Sequence, residues 1–166
     1  MKRALLRCHW PGNDSLMQQY HDQEWGRPER NDLKIFRAII LDTFQAGLSW
    51  KIILHKRENF RKAFDNFDYK KIATYSEVKK AKLLKDAGII RNRLKINGAV
   101  ENAKAFIKVR DEFGTFSNYM WGFVGGKPIQ NKYKTHSHIA AQTPLSDKIA
   151  ADMKKHGFKF CGSTVT

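Results

Sequence analysis

Apolar residues recur at spacings of three and four along most of this chain, and that periodicity limits the fold more than any other feature of the sequence. It is typical of amphipathic helices, whereas the alternation expected of half-buried strands is almost absent. The clearest stripe consists of Leu33, Phe36, Ile39, Ile40 and Phe44. Asn31 and Asp32 are good helix caps just before it, and Gly47 is a helix stop just after it. The sequence therefore predicts an all-α fold.

Five further helices are predicted in the same way, each from a capping residue followed by apolar residues at helical spacing. The first of these begins after Ser49, whose hydroxyl is the expected cap, and carries Trp50, Ile53 and Leu54. The second begins at Ser76, carries Val78, Ala81, Leu83 and Leu84, and ends at Gly88, and the third, which is longer, begins at Asn92, carries Leu94, Val100, Ala103 and Ile107, and ends at Gly114. A short helix follows Thr115. The last helix runs from Leu145 to about Lys155, with Ser146 and Asp147 as caps.

The segment from residue 125 to residue 144 has no helical or strand period and is predicted to be a basic surface loop. After the last helix, the sequence GFKFCG at 157–162 forms a turn bounded by two glycines. It has the form of the hairpin in a helix-hairpin-helix unit, in which Gly157 and Gly162 would let backbone N–H groups approach a phosphate and Lys159 would add charge. A plain helix C-cap followed by a turn explains the pattern equally well.

The net charge of the chain indicates the class of its binding partner. The 166 residues include 31 Lys and Arg against 16 Asp and Glu, a formal charge of +15 at pH 7. Such an excess of positive charge indicates a polyanionic partner, and nucleic acid is the first to consider. The alternative is an ordinary soluble protein with a basic surface.

Length and composition indicate a single domain over residues 1–166, because 42% hydrophobic residues are enough to build a core. Cys8 and Cys161 are the only cysteines, which excludes a disulfide framework and favours a reduced, cytoplasmic location. No apolar run reaches the roughly 18 residues that a membrane helix needs, and the N-terminus lacks the pattern of a signal peptide.

Several long strings of residues carry a family resemblance that covers nearly the whole chain. They are Arg7-Cys8 with Trp10, YHD at 20–22, EWG at 24–26, QAGLSW at 45–50, KRENF at 56–60, DAGIIR at 86–91, PLSD at 144–147 and GFKF at 157–160. In these strings the chain resembles the monofunctional bacterial 3-methyladenine DNA glycosylase I family of the helix-hairpin-helix superfamily.

The resemblance implies a fold, a reaction and a partner. The expected fold is an all-α, helix-hairpin-helix glycosylase-like bundle that is C-terminally truncated, lacking the last helix and tail. The expected function is that of a base-excision repair enzyme, a monomer, that flips 3-methyladenine out of alkylated double-stranded DNA and hydrolyses its glycosidic bond without cutting the backbone. Free 3-methyladenine would be the product.

The resemblance also implies a base pocket with aromatic walls. Trp50 would stack on the base, Trp10 and Tyr20 would enclose it, and Trp25 would support the wall, since aromatic faces attract a flat cation. Where the family has a Glu that hydrogen-bonds the base, this chain has Asp42, whose reach is shorter by one methylene, about 1.5 Å. Asp42 and Tyr20 are the catalytic candidates. Core packing is the alternative for any single tryptophan.

Three groups of residues are implied to contact DNA. Gly47 and Leu48 would press into the space that the flipped nucleotide leaves, although they also fit a helix stop and a hydrophobic staple. Arg91, Arg93 and Lys95 lie near a helix N-terminus, where cations are unfavourable unless an anion is present. A solvated basic face is the alternative for each of them. Gly157, Lys159 and Gly162 of the hairpin complete the set.

Cys8 and His21 match two ligands of the zinc site that, in this family, ties the termini together. The other two ligands, a His and a Cys, belong to a C-terminal segment that this sequence does not contain, and structural zinc sites need four ligands. We therefore expect zinc in the full-length protein and low or no occupancy in this chain. The resemblance also argues against Lys159 as an amine nucleophile, so base removal alone is expected.

Two other functional classes stay open from the sequence. The chain could be a catalytically weakened family member that acts as a non-specific DNA-binding module. It could also be a purine-binding or RNA-binding protein that reuses the aromatic pocket. Only a glycosylase needs the aromatic pocket and the basic surface together.

Overall fold

The computed structural model describes residues 7–133 and 139–165, and every regular element in these ranges is helical. The all-α prediction is confirmed. The helices are α1 Ser15–Gln23, α2 Asp32–Gln45, α3 Trp50–Ala63, a 3-10 turn Asp65–Phe67, α4 Tyr69–Ile72, α5 Glu77–Lys85, α6 Arg93–Phe113, α7 Phe116–Gly122 and α8 Pro144–Lys155.

Helix α6 lies at the centre and packs against α2, α4, α5 and α7. The core around it is built from phenylalanines that solvent does not reach, in particular Phe36 and Phe44 of α2, Phe60 of α3 and Phe106 of α6. Rings of Phe36 and Phe106 meet edge to face, with their centroids 4.9 Å apart. Because α2 and α3 are fixed against this core, the turn between them is held at a defined place on the surface.

Capping explains most helix starts, with two corrections. Asn31, Ser76, Asn92 and Thr115 cap α2, α5, α6 and α7 through their side chains, as predicted. Ser49 precedes α3, but its side chain makes no capping hydrogen bond. The last helix begins one residue earlier than predicted because Thr143 is its cap, and Ser146 completes a reciprocal capping box with Thr143.

Helices α1 and α4 and the 3-10 turn were not among the predicted elements. In α1 only Met17 is buried, so the helix lacks the apolar stripe on which prediction depends. Its start is fixed instead by Asp14, which accepts a hydrogen bond from the N–H of Met17 at 3.0 Å. In the 3-10 turn, Asp65, Asn66 and Phe67 all have positive φ, a conformation that sequence patterns do not reveal.

Ala81, placed on a buried stripe by its spacing, is exposed. Three large apolar residues from such stripes are exposed too: Leu33 at 45%, Val78 at 81% and Leu94 at 70%. Each of these three is the second residue of its helix. The connection between α7 and α8 has no helix or strand in its described residues, as predicted. None of the described helices combines the length and apolar character that a membrane crossing requires.

Candidate functional site: an aromatic cavity beside a buried carboxylate

Two large cavities open on the surface of the described part of the chain. One, of about 760 Å³, lies between α7 and α8 and has a mainly apolar lining. The other, of about 660 Å³, is formed where α1, α2 and α3 meet, and combines aromatic rings with ionisable groups. Its volume suits a small organic ligand, and its mixed lining is typical of a binding site. It is lined by residues including Trp10, Tyr20, Trp25, Asp42 and Trp50.

All five residues that the resemblance assigned to the base pocket thus line one cavity. Trp10 precedes α1, Tyr20 lies in α1, and Trp50 is the first residue of α3. Asp42 lies in the last turn of α2. The structure brings these side chains together although 40 residues of sequence separate Trp10 from Trp50.

The aromatic rings form a continuous series around the cavity. Tyr20 contacts Trp50 with ring centroids 5.2 Å apart, and Trp10 contacts Tyr20 at 6.2 Å and Trp25 at 5.4 Å. Most of these contacts are tilted or edge to face, so ring faces stay free to meet a ligand. Trp25 is 47% exposed and lies at the outer end of the series.

Asp42 is one of two acidic residues in the lining of the cavity, the other being Asp14. Burial raises the pKa of Asp42 to about 7, and no hydrogen bond from a described residue offsets this rise. A carboxylate with this environment gains free energy from a cation or a hydrogen-bond donor that enters the cavity. The pKa of Tyr20 is also raised, first by burial and then by the negative charge of Asp42.

Trp50, which lines the same cavity, contains a second unsatisfied polar group. Its indole Nε1 is buried and has no hydrogen-bond partner among the described residues. Buried polar groups of this kind are rare in proteins and are often associated with a functional site. The lining of the cavity therefore includes a carboxylate without a donor and a tryptophan whose indole N–H has no acceptor among the described residues.

Ion pairs hold the N-terminal part of the cavity against the helices. Glu24, in the segment after α1, accepts from Arg57 of α3 at 2.7 Å and 2.8 Å and from Arg37 of α2 at 3.3 Å. At the other end of α1, Asp14 pairs with Lys51 at 3.1 Å and with His55 at 2.8 Å. These links fix α1, and with it Tyr20, against α2 and α3.

Asp14 and Lys51 also line the cavity, and sequence reasoning did not identify them. Asp14 was recognisable as a helix cap before an unpredicted helix, and Lys51 as the neighbour of Trp50. Neither signal indicates a cavity, because the approach of α1 to α3 is a tertiary contact.

The turn between α2 and α3 projects two of the proposed DNA-contacting residues. Gly47 has φ +76°, a conformation that suits glycine, and a Cβ placed there would meet nothing within 4 Å. Leu48 is 38% exposed, and its N–H donates to the carbonyl of Gln45 at 2.6 Å. The turn thus contains an internal hydrogen bond and has an apolar side chain at its surface.

The basic turn before α6 needs one correction. Arg91 and Arg93 are exposed, but Lys95 is buried. Its ammonium group donates to the carbonyl oxygens of Phe44 at 2.9 Å and Ala46 at 2.5 Å, at the end of α2. The expected phosphate contact by Lys95 is therefore wrong, because its charge already serves the α2 terminus. Arg91 and Arg93 stay as proposed DNA contacts.

The hairpin after α8 also differs in detail from the expectation. The N–H of Gly157 donates to the carbonyl of Lys154 at 3.0 Å, and the N–H of Lys159 donates to Asn102 at 2.6 Å. These two N–H groups are used within the protein and are not available to a phosphate. The side chain of Lys159 is exposed, and Phe158 anchors the hairpin in the core with 3% exposure.

Cys8 and His21 lie side by side, since the N–H of Cys8 donates to Nε2 of His21 at 3.3 Å. Nδ1 of His21 is held by Asp22 at 3.0 Å, the arrangement by which a carboxylate orients a metal-binding imidazole. Among the described residues, no cluster of three or more metal-ligating side chains occurs. The pair is compatible with half of a zinc site, and Cys161 does not join it.

Comparison with known proteins agrees with this geometry. Residues 10–166 match the family described as methyladenine glycosylase. The chain is 42% identical over 161 residues to DNA-3-methyladenine glycosylase 1 of Escherichia coli strain K12, with 97% of this chain and 86% of the relative covered.

Solved structures give the same result. A crystal structure of 3-methyladenine DNA glycosylase I superposes with a TM-score of 0.92 at 42% identity, over 96% of this chain and 88% of that one. A tyrosine-to-phenylalanine variant of such an enzyme, in complex with 3-methyladenine, superposes with a TM-score of 0.93 at 29% identity, over 97% and 87%. The chain belongs to the methyladenine glycosylase family.

Proposed function

We propose that this protein is a DNA-3-methyladenine glycosylase, which removes the alkylated base from duplex DNA by hydrolysing the N-glycosidic bond. The observation that carries the proposal is the buried carboxylate of Asp42, which has no partner within the described residues and lies in a cavity walled by Tyr20 and Trp50. Family membership over nearly the whole chain supports the same reaction.

The chemistry needs little more than binding of the base. Methylation at N3 makes the adenine of a nucleotide cationic and a good leaving group, so the glycosidic bond is weak before the enzyme acts. In the proposed mechanism, the nucleotide rotates out of the duplex and its base enters the cavity. Trp50 and the neighbouring rings stack on the flat cation, each contributing about 1 to 3 kcal/mol. Water then completes the hydrolysis.

Asp42 gives the cavity its preference for a cation. As a carboxylate it would accept a hydrogen bond from the exocyclic amine of the base and attract its positive charge. Aspartate reaches about 1.5 Å less far than the glutamate usual in the family, so a bridging water is the expected link. A neutral adenine would leave the buried carboxylate uncompensated, and this disfavours normal bases.

The reaction ends at the abasic site. Lys159 is the amine in the hairpin, but its side chain is exposed to solvent. Its backbone is also held by Asn102, away from the cavity lining. No covalent product with DNA is expected after borohydride treatment.

The test is release of free 3-methyladenine from methylated duplex DNA. The native chain should release it, and Asp42→Asn and Trp50→Ala should release it at least about tenfold more slowly. Asp111→Asn is a matched control, because it removes one negative charge from an exposed position on α6. Duplex binding without release by the native chain would favour the non-specific DNA-binding module instead.

We further propose that Cys8 and His21 supply two ligands of a structural zinc site. The nearness of the two residues and the support of His21 Nδ1 by Asp22 favour this role, and zinc would replace the N–H of Cys8 at Nε2 of His21. Zinc there would tie residues before α1 to whichever segment supplies the remaining ligands, and two ligands alone would bind it weakly. Elemental analysis of this chain should find little zinc, and stoichiometric zinc would contradict the prediction of low occupancy.

The proposed setting is a monomer in a reducing cytoplasm. Both cysteines are free, with Cys161 buried. Burial, with a smaller effect of Asp42, raises the pKa of Cys161 to about 12, which keeps it an unreactive thiol.

A further inference from the structure

We propose that one face of α6 fixes the relative placement of the two turns that meet DNA, through Lys95, Gly98 and Asn102 as positioning residues. This inference rests on the proposed function, since it concerns how the enzyme holds its duplex. The two turns are the wedge turn, residues 46–49, and the hairpin, residues 157–162.

Lys95 stabilises the start of the wedge turn through hydrogen bonds from its side chain. Its ammonium group donates to the carbonyls of Phe44 and Ala46, two of the last three before Gly47. Burial lowers the pKa of this lysine, which shows that placing a charge here is unfavourable by itself. Two hydrogen bonds from this one ammonium group satisfy carbonyls at the end of α2, where the helix itself supplies no donor.

Asn102 holds the hairpin in the same manner. Its Oδ1 accepts from the N–H of Lys159 at 2.6 Å and its Nδ2 donates to the carbonyl of Lys159 at 3.0 Å. Nδ2 also donates to the hydroxyl of Thr43 at 3.0 Å, and that hydroxyl donates to the carbonyl of Ile39 at 2.8 Å. A single buried amide thus joins the hairpin to α2, next to Asp42.

Gly98 lies between these two residues on the same face of the helix, because residues three and four apart are neighbours there. A Cβ at Gly98 would come within 2.9 Å of the ring of Phe160, so glycine lets the hairpin lie directly on α6. This face of α6 therefore contacts the hairpin through close packing at Gly98 as well as through the hydrogen bonds of Asn102.

Buried polar side chains are scarce in this fold. Among the described residues only Thr43, Lys95, Asn102 and Ser117 are polar and buried over the whole residue, whereas Asp42 keeps part of its surface in the cavity. Thr43, Lys95 and Asn102 belong to this network. Apolar residues would pack α6 against α2 equally well, and replacing buried polar groups is often neutral or stabilising. Their positions, at the bases of the two turns, indicate a geometric role.

The inference predicts a loss of duplex binding without a loss of base binding. We expect Lys95→Met, Asn102→Leu and Gly98→Ala each to weaken binding to a duplex with a tetrahydrofuran abasic analogue by about 10- to 100-fold. Binding of free 3-methyladenine, followed by tryptophan fluorescence, should stay within about twofold of the native value for all three.

Two variants control for general damage. Gly122→Ala adds a methyl group to a helical glycine with nothing within 4 Å. Asp32→Asn weakens a comparable polar link, from α2 to Arg110 at 2.8 Å and to the N–H of Ser117 at 2.9 Å. Both should bind the abasic duplex as the native chain does. If Lys95→Met or Asn102→Leu fails to fold, Gly98→Ala still tests the inference, because it removes no hydrogen-bonding side chain.

A double variant gives the sharpest readout. If duplex binding needs both turns in their correct relative positions, the loss of either position already removes most of the benefit. The double variant Lys95→Met/Asn102→Leu should then weaken duplex binding by less than the product of the two single effects. Unchanged duplex binding in the folded single variants, or equal loss of duplex and free-base binding, would overturn the inference. A native chain that binds both ligands but releases no base would overturn the proposed function and leave the inference standing.

Discussion

The ring of Tyr20 lies 5.2 Å from the ring of Trp50, centroid to centroid, with 48° between their planes. This contact joins the middle of α1 to the first residue of α3. It places two aromatic faces on the cavity that also contains Asp42. The wall of the cavity is therefore a tertiary contact between two helices, and its loss would change the shape of the site.

Replacing Tyr20 tests that wall. We expect Tyr20→Ala to lower the rate of 3-methyladenine release by about 5- to 150-fold, because about 1 to 3 kcal/mol of stacking and packing is removed. Tyr20→Phe keeps the ring and should retain most of the activity. Equal loss in both variants would assign the effect to the hydroxyl instead. The measurement is single-turnover release from methylated duplex.

The pH dependence of activity should follow Asp42. Because its pKa is about 7, only part of the free enzyme carries the carboxylate at neutral pH. We expect kcat/KM to rise with pH up to about 7 and then to level off, since the cationic base needs the ionised form. Asp42→Asn should be slower and should show no such rise. A native profile that falls over this range would exclude the carboxylate as the active form.

Stability should change in the opposite direction. Asp42 takes up its proton at a higher pH in the folded chain than in the unfolded chain. Between the usual aspartate pKa and about 7, the folded form binds more protons, so the free energy of unfolding falls as pH rises. At pH 8 we expect Asp42→Asn to be more stable than the native chain by about 1 to 3 kcal/mol. Urea titrations at pH 5 and pH 8 measure this, and the difference should shrink at pH 5.

Salt dependence should report the exposed arginines. If Arg91 and Arg93 neutralise one phosphate each, Arg91→Gln and Arg93→Gln should each reduce the slope of log K against log salt by about 0.9. Lys104→Gln is the control, because Lys104 is exposed and already paired with Glu101 at 2.9 Å. Slopes equal to that of the control would remove these arginines from the DNA interface.

Leu48 is expected to act on the duplex and not on the base. Its side chain is exposed, so Leu48→Ala should leave the melting temperature nearly unchanged. Release from duplex DNA should fall by about tenfold, because unstacking a base step costs a few kcal/mol. Release from methylated single strands should hardly change. A parallel loss on both substrates would contradict a wedge.

Much of the scaffold follows from local patterns in the sequence. The caps at Asn31 and Asn92 and the stripe that includes Phe36 and Phe44 predict α2 and α6 because those signals depend on near neighbours alone. α1 escaped prediction because it is held by Glu24 and Asp14 reaching other helices, and a sequence pattern does not contain such contacts.

The site was predictable as a set of residues but not as an arrangement. Family strings identified Trp10, Tyr20, Asp42 and Trp50, which the fold brings to one cavity. Lys95 was misinterpreted for a physical reason. In the sequence it is one of three cations at a helix start. Only the approach of α6 to the end of α2 shows that its ammonium group is hydrogen-bonded inside the protein.

The contacts that hold α1 determine how the enzyme can lose its cavity without unfolding. Helix α1 buries one residue, Met17, and is otherwise held by the Glu24 and Asp14 ion pairs and the contact of Tyr20 with Trp50. Such a unit can open locally while the phenylalanine core stays closed. Its amides should exchange with deuterium faster than those of α6. A melting curve then reports the unfolding of the core alone. A preparation that melts at the normal temperature can still have lost the cavity that binds the base.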